Sequence, residues 1–219
     1  MKLFKKIALR LLLAFGIIVV ILVANFIIFG ISASRVTEGV PIENRDSEQV
    51  ALLVIDIQEG TTGSTSFTEG YIRQSDSLIT HVNNLVAEGV SKGWSIVWVR
   101  SEVTNPLINI LNSSMARGSV GAELDSRLDT SAGLVVVKKK NDSFASTPLD
   151  EFFEEKGVGR LVVAGLDAEH CVLTAIQAAT NRGYVLTVFE ETVIAEDEAN
   201  MAAMLVAYKD LGVELRFIK

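Results

Sequence analysis

From residue 50 onward, short and continuous apolar runs alternate with stretches in which apolar residues recur every three to four positions. A continuous apolar run bounded by polar residues is typical of a β-strand that is buried on both faces. Strands are predicted at 50–55, 95–99, 134–137, 161–164, 184–189 and 213–218. The helical period and the end signals predict the helices between them at 69–90, 148–156, 168–182 and 197–211.

Strands that alternate with helices indicate right-handed crossovers, and therefore a parallel sheet covered on both faces. We expect a doubly wound α/β fold, with a six-stranded, mostly parallel sheet in a three-layer α/β/α sandwich. Segment 105–130 is typical of a loop with room for one helical turn. Functional groups of such sheets lie at the carboxyl ends of the strands. Asp56, the lysines at 138–140 and segment 165–171 should therefore meet at one edge.

The first forty residues follow a different pattern. Residues 11–31 carry no charge, and at about 1.5 Å per residue this run is long enough to cross a bilayer. By the positive-inside rule, the basic residues before it hold the N-terminus in the cytoplasm and send the rest of the chain to the far side. These residues are Lys2, Lys5, Lys6 and Arg10.

The alternative for this run is a cleavable signal peptide followed by secretion. Ser32-Ala33-Ser34 fits a cleavage site, although the apolar run exceeds the usual length of about 7–15 residues. We expect a single-pass membrane protein whose folded domain lies outside the cytoplasm. The expected divisions are a basic cytoplasmic segment at 1–10, a transmembrane anchor or uncleaved signal at 11–34, a linker at 35–49 and the folded α/β domain at 50–219.

Composition narrows the possible functions. The chain has 20 basic and 27 acidic residues, and four of the bases precede the apolar run. The remaining chain is therefore strongly acidic, which argues against a nucleic-acid-binding domain. One cysteine excludes an intramolecular disulfide and a two- or four-cysteine zinc site, and two histidines leave little for a metal centre. A small-molecule substrate is expected, with no nucleic acid partner.

Three residue types at the predicted sheet edge could carry chemistry. Cys171 lies in the first turn of a helix, where the helix dipole and free N–H groups lower a thiol pKa and can hold an oxyanion. The alternative is a small buried hydrophobe. Asp56 interrupts an apolar strand end, where a carboxylate needs a partner, and an N-cap or salt bridge is its alternative. A lysine beside both would favour the thiolate.

Three ordered segments resemble the isochorismatase-like cysteine hydrolases, the family that includes nicotinamidases and N-carbamoylsarcosine amidase. ALLVIDIQ (51–58) resembles the family's first strand, with its catalytic aspartate and a glutamine two residues on. VVVKKKNDSFASTPL (135–149) resembles the lysine segment, in which the lysine stands six residues before a phenylalanine; this spacing selects Lys138. LVVAGLDAEHCVLTAIQAATNRGYVLTVFEE (161–191) resembles the segment of the nucleophile, at Cys171.

The resemblance implies a mechanism. Cys171 would attack a carbonyl carbon, Asp56 would take the thiol proton and later activate water, and Lys138 would steady the thiolate. A thioester-type acyl-enzyme would form and be hydrolysed. The oxyanion would be held by backbone N–H groups of a loop with a non-proline cis peptide at Leu166–Asp167. The loop residues would be Leu166, Asp167, Ala168 and Cys171, and the candidate substrate-pocket residues are Gln58, Phe144 and His170.

The chain also departs from the family pattern. Ala168 replaces a threonine, and Asp167 adds a carboxylate that we expect to raise the thiol pKa. The metal-binding Asp-x-His of nicotinamidases is missing after the second strand, so we expect no metal or other cofactor. Isochorismatases proper lack the cysteine, so Cys171 favours a hydrolase of C–N bonds in amides or ureides.

Two other functions stay open. One is a catalytically weakened family member that acts as a membrane-tethered binding or scaffold protein. The other is a thiol-based redox protein, which the lack of a second, resolving cysteine disfavours. Family members often assemble, so a homo-oligomer is also possible.

Overall fold

A computed structural model of the chain describes residues 2–43 and 46–218. Asn44 and Arg45 of the expected linker, and the terminal Met1 and Lys219, lie outside the described residues. The strands are β1 (Gln49–Ile55), β2 (Ser95–Ser101), β3 (Leu134–Lys138), β4 (Val158–Gly165), β5 (Val185–Val193) and β6 (Glu214–Arg216). The helices are α1 (Lys2–Ala33), α2 (Glu69–Ser91), α3 (Pro106–Leu111), α4 (Leu149–Glu155), α5 (Leu173–Arg182) and α6 (Met201–Asp210).

Within the described residues, the six strands form one sheet in the order β3-β2-β1-β4-β5-β6. Every neighbouring pair is parallel, so the predicted α/β sheet is confirmed and is parallel throughout. From β1 to β3 successive strands are added on one side of the sheet, and from β4 to β6 they are added on the other side, so the strand order reverses between β1 and β4. In doubly wound sheets, ligands bind in the crevice outside the carboxyl ends of the two strands at this point. Asp56 follows β1, and the segment with Cys171 follows β4.

The sheet is covered on both faces, as the three-layer prediction requires. Alternation along β1 sends Leu52 and Val54 to the face covered by α2, and Leu53 and Ile55 to the opposite face. All four side chains are buried, which explains why the sequence of β1 is continuously apolar. The opposite face is covered by α4, α5 and α6 through Phe153, Ile176 and Tyr208.

Several elements differ in detail from the sequence prediction; β5, for example, continues to Val193. The helix predicted at 168–182 begins with a π-helical turn at Ala168–Val172, and α5 follows it. It ends at Gly183 as predicted, because glycine accepts the left-handed φ of +84° found there. Segment 105–130 contains α3 and a single turn at Val120–Ala122. The sixth strand is shorter than predicted because it lies at the sheet edge and pairs on one side, with β5.

The N-terminal apolar run forms a single long helix. The most apolar 18-residue stretch within Phe4–Ala33 has a mean hydropathy of 3.1, and by length and composition the helix could cross a membrane or serve as a signal sequence. The residues that follow it lie on the domain surface, where Val36 and Ile42 pack against the core beneath α5. Ile42 N–H also donates to the carbonyl of Arg182 at 2.9 Å. The described part of the expected linker is therefore packed on the domain.

Candidate active site

Asp56 is the first residue after β1 and lies at the switch point of the sheet. Its backbone N–H donates to the carbonyl of Val99 in β2 at 2.8 Å, and its φ is +56°, so the chain turns sharply there. Its carboxylate is 5% exposed and accepts a hydrogen bond from the Ser101 hydroxyl at 2.9 Å. Sequence reasoning did not find Ser101; the signal is its place at the carboxyl end of the neighbouring strand.

Lys138 is the last residue of β3 and is 1% exposed. Its ammonium lies 2.8 Å from the Asp56 carboxylate and 3.1 Å from the sulfur of Cys171. The carbonyl oxygens of Lys140 and Asn141, at 3.1 and 3.3 Å, complete its surroundings. Burial by itself lowers the pKa of Lys138, but Asp56 and Cys171 raise it above the ordinary value overall. The ammonium therefore stays charged between its two neighbours.

Cys171 lies in the π-helical turn before α5, half-buried above the other two side chains. Burial and the negative charge of Asp56 raise the pKa of its thiol to about 12, while Lys138 lowers it. The expectation of a depressed thiol pKa is therefore wrong in direction. Helix position and a neighbouring lysine both favoured a thiolate, but desolvation and the charge of Asp56 outweigh the lysine. The resting group is a protonated thiol, and its sulfur accepts a hydrogen bond from the Lys138 ammonium at 3.1 Å.

The loop between β4 and Cys171 is tightly fixed. Gly165 has a φ of +118°, and a Cβ there would overlap the carbonyl oxygen of Ile55, so this position requires glycine. The next peptide, Leu166–Asp167, is cis, as predicted from the resemblance. The Tyr208 hydroxyl of α6 donates to the carbonyl of Ala168 at 2.6 Å, on the same face of the sheet.

Hydrogen bonding distinguishes the backbone N–H groups of this loop. Leu166 N–H donates to Ile55, and Ala168 N–H donates to Ile194, both at 3.0 Å. Within residues 2–43 and 46–218, the N–H of Asp167 makes no hydrogen bond. Of the three predicted upstream loop donors, Asp167 N–H is thus the one left available beside Cys171.

The side chain of Asp167 serves a structural purpose. Its carboxylate accepts hydrogen bonds from the backbone N–H groups of Glu169 and Glu196, at 2.7 and 2.8 Å, and from the Tyr71 hydroxyl at 3.1 Å. Burial and this carboxylate raise the pKa of Tyr71, so the phenol stays protonated and donates. The charges with the largest effect on the Cys171 pKa are those of Asp56 and Lys138, and an effect of Asp167 on the thiol stays a prediction.

The three candidate pocket residues lie in different surroundings. The Gln58 side chain is fully buried and is bonded to the backbones of Ser101 and Ala122, so it ties the β1 and β2 ends together. Phe144 is 3% exposed and stacks with Tyr184 in the core. Neither side chain faces open space. His170 is exposed beside the cysteine, and of the three it alone is accessible to a ligand.

The position after β2 does not suit a cation. Glu102 is paired with Arg100 at 3.0 Å, and a guanidinium at this place repels a metal ion. Among the residues that the structure describes, no group of three histidine, cysteine, aspartate or glutamate side chains is placed to hold a metal.

Comparison with known proteins agrees with this geometry. The profile described as the isochorismatase domain matches residues 50–216. A probable inactive nicotinamidase of Arabidopsis thaliana is 27% identical over 187 residues, covering 75% of this chain and 90% of the relative. A secreted isochorismatase effector of Verticillium dahliae is 26% identical, covering 74% and 81%. The crystal structure of N-carbamoylsarcosine amidase from Thermoplasma acidophilum has a TM-score of 0.66 and 25% identity, covering 77% and 96%.

Proposed function

The chain belongs to the isochorismatase family of hydrolases, and we propose that it is a cysteine hydrolase that cleaves a C–N bond in a small amide or ureide. The observation that carries this proposal is the position of the Lys138 ammonium, 2.8 Å from Asp56 and 3.1 Å from Cys171. A carboxylate, an ammonium and a thiol in one buried site provide a base, a charge balance and a nucleophile. The similarity to N-carbamoylsarcosine amidase supports the choice of bond.

The raised thiol pKa determines the order of the first step. Because the resting Cys171 keeps its proton, the proton moves to Asp56 as the sulfur attacks the carbonyl carbon. The Lys138 ammonium stabilises the thiolate character that develops during this transfer. The carbonyl oxygen becomes an oxyanion, for which the N–H groups of Asp167 and Cys171 are the proposed donors.

The intermediate then collapses. The C–N bond breaks, and the leaving nitrogen takes the proton from Asp56, which leaves a thioester on Cys171. Asp56 next removes a proton from water as the water attacks the thioester. Collapse of this second intermediate releases the carboxylic or carbamic acid and returns the proton to the Cys171 sulfur. The net reaction consumes one water and needs no other reactant.

The test is release of ammonia from a panel of small primary amides and N-carbamoyl compounds by the full chain in detergent. Cys171→Ala should abolish release, and the exposed surface variant Lys139→Met should retain most of it. With a substrate found, a quenched reaction should carry an acyl group on Cys171, detected by mass and removed by hydroxylamine. Turnover that survives in Cys171→Ala would overturn the cysteine mechanism.

One finding favours a second candidate, a weakened family member that binds a ligand without turnover. The Arabidopsis thaliana relative is described as probably inactive, and it matches this chain over 187 residues. In that case the amide panel yields no ammonia and no acyl group on Cys171, while a panel compound still raises the thermal unfolding midpoint. These outcomes separate the two candidates.

We also propose that α1 anchors the domain to a membrane. Its uncharged run, residues 11–31, matches the roughly 20 residues needed to span a bilayer. The basic residues at its start favour a cytoplasmic N-terminus and place residues 50–219 outside the cytoplasm. The secreted relative from Verticillium dahliae is consistent with a family domain that works outside the cell.

A further inference from the structure

The segment that follows α1 bonds to the loop that carries the catalytic lysine. Asp142 is fully buried in this loop, four residues after Lys138. One of its carboxylate oxygens accepts hydrogen bonds from both the backbone N–H and the hydroxyl of Thr37, at 2.8 and 2.7 Å. The other accepts from the N–H of Phe144 at 2.8 Å. Thr37 is 105 residues away in sequence, so this contact is purely tertiary.

The carbonyl groups that surround the Lys138 ammonium come from the same loop. Lys140 and Asn141 immediately precede Asp142, and their carbonyls accept from the ammonium at 3.1 and 3.3 Å. An ammonium has three protons, and here four acceptors compete for them, two from this loop and two from Asp56 and Cys171. A shift of the loop therefore changes how the protons are shared.

The other side of Thr37 is fixed to the helix that follows the cysteine. Its carbonyl accepts hydrogen bonds from the side chains of Asn181 and Arg182, at 3.1 and 3.4 Å, at the end of α5. Arg182 is 2% exposed and is itself held by Asp150 at 2.6 Å. Thr37 thus lies between the lysine loop and the end of the cysteine helix, and contacts both.

A second bond ties the lysine loop to the end of α1. The N–H of Asn141 donates to the carbonyl of Ala33, the last residue of the helix, at 2.9 Å. The chain between Ala33 and Thr37 therefore meets the lysine loop at two points. This segment forms part of the support of the site, although the sequence suggested a linker.

We propose that Thr37 and Asp142 form a positioning pair, through which the segment after α1 holds the Lys138 ammonium against Asp56 and Cys171. The inference rests on the proposed function in one respect, the role given to Lys138. Neither member of the pair contacts the reacting atoms. Their effect passes through the lysine, whose charge lowers the thiol pKa.

The experiment follows the rate of alkylation of Cys171 by iodoacetamide against pH, in the full chain in detergent. The chain has one cysteine, so the signal belongs to Cys171. Thr37→Val removes the hydroxyl and keeps the shape, and Thr37→Ser restores the hydroxyl. The matched control is Ser47→Ala, which also loses a hydroxyl bonded across the domain, to the carbonyl of Gly157 at 2.6 Å, but away from the lysine loop.

Thr37→Val should move the alkylation profile to higher pH, which lowers the rate at pH 9 by about threefold to tenfold. Thr37→Ser should return the wild-type alkylation profile. Ser47→Ala should leave that profile unchanged even if its thermal unfolding midpoint falls as much as that of Thr37→Val. Asp142→Asn, which keeps the volume and weakens the acceptor, should act like Thr37→Val and replaces it if that variant does not fold. A wild-type profile in a folded Thr37→Val or Asp142→Asn variant overturns the proposal.

This readout is independent of turnover. If the alkylation profile shifts in Thr37→Val but the wild-type chain hydrolyses no amide, the positioning pair stands and the hydrolase proposal is rejected. If the wild type is active and Thr37→Val changes neither kcat nor the alkylation profile, the hydrolase proposal stands and the positioning pair is rejected. If the pair acts as proposed, kcat falls with the alkylation rate while KM stays nearly constant, because Lys138 balances charge and does not bind the substrate.

Discussion

At the scale of single residues, the site is a balance of opposed electrostatic effects on one thiol. Burial and Asp56 raise the pKa of Cys171, and Lys138, 3.1 Å from the sulfur, lowers it. A buried thiol is unreactive until a base removes its proton, which limits reaction with adventitious electrophiles. The same Asp56 that raises the pKa is placed to accept the proton when a substrate arrives.

This balance predicts opposite effects for the two partners of the thiol. Asp56→Asn removes a negative charge, so the Cys171 pKa should fall and alkylation at pH 8 should become faster. Lys138→Met should raise the pKa and slow alkylation, with about tenfold for each pKa unit. The measurement is the pH dependence of iodoacetamide labelling. Hydrolysis should be lost in both variants, because the base is missing in one and the charge balance in the other.

The control for the Asp56→Asn and Lys138→Met variants is a substitution of the neighbouring lysine, Lys139. Lys139 is exposed beside Lys138, so Lys139→Met removes the same charge from the surface and should leave the labelling profile nearly unchanged. If Asp56→Asn labelled more slowly than the wild type at pH 8, the assigned cause of the raised pKa would be wrong.

At the scale of elements, the strand ends determine where the groups meet. The register of β3 against β2 places Lys138 opposite Ser101, and Ser101 in turn bonds to Asp56 at the end of β1. On the other side, Ile55 at the end of β1 pairs with Gly165 at the end of β4. Three adjacent strands thus bring the carboxylate, the ammonium and the cysteine loop to one edge.

The close approach of β4 and β1 predicts the cost of a side chain at Gly165. Gly165→Ala combines a left-handed φ with a Cβ that overlaps the Ile55 carbonyl, so we expect it to destabilise the fold by roughly 2–4 kcal/mol. Gly212→Ala is the matched control, because φ is +82° there but nothing lies within 4 Å of the added Cβ. Its cost should be about 1 kcal/mol.

Urea unfolding of the full chain in detergent measures both variants. A similar loss in the two would show that backbone strain, and not the contact with Ile55, determines the need for glycine at this strand end. A changed rate of Cys171 labelling should accompany Gly165→Ala, since the loop at 165–168 leads directly to Cys171.

At the scale of the whole molecule, an acidic α/β domain follows a long apolar helix with a basic start. The most apolar 18-residue stretch of this helix has a mean hydropathy of 3.1 and is exposed, whereas most apolar residues of the domain are buried. The segment after Ala33 is packed on the domain, so few residues separate the end of α1 from the domain. If α1 spans a membrane, the site would lie close to the membrane surface.

The predicted topology is tested by the mass and protease sensitivity of the protein in membranes of an expression host. Full-length protein in the membrane, digested from the outer side alone, is expected for an anchor with the N-terminus inside. Neutralising Lys5, Lys6 and Arg10 together should weaken this orientation. A mature chain that begins near Arg35 would instead establish the signal-peptide alternative.

Much of the fold could be predicted because its strands and helices follow from hydrophobic patterns among neighbouring residues. The continuous apolar run at 50–55 and the helical period at 69–90 are properties of adjacent residues, and both elements are found. The rule that strand ends share an edge predicted that Asp56, the lysines at 138–140 and segment 165–171 meet, and the family resemblance selected Lys138 and Cys171 among them. Segment 105–130 was poorly predicted, because α3 is a short helix with no buried residue to mark its face.

The sequence by itself determined the order and type of the elements, the family resemblance and the three side chains that meet at the sheet edge. The tertiary structure decided the sign of the Cys171 pKa shift, the partners of Asp167 and the contact between Thr37 and Asp142. The reason is physical: periodicity is local, whereas desolvation and charge interactions depend on distances between residues far apart in sequence, which exist once the chain is packed.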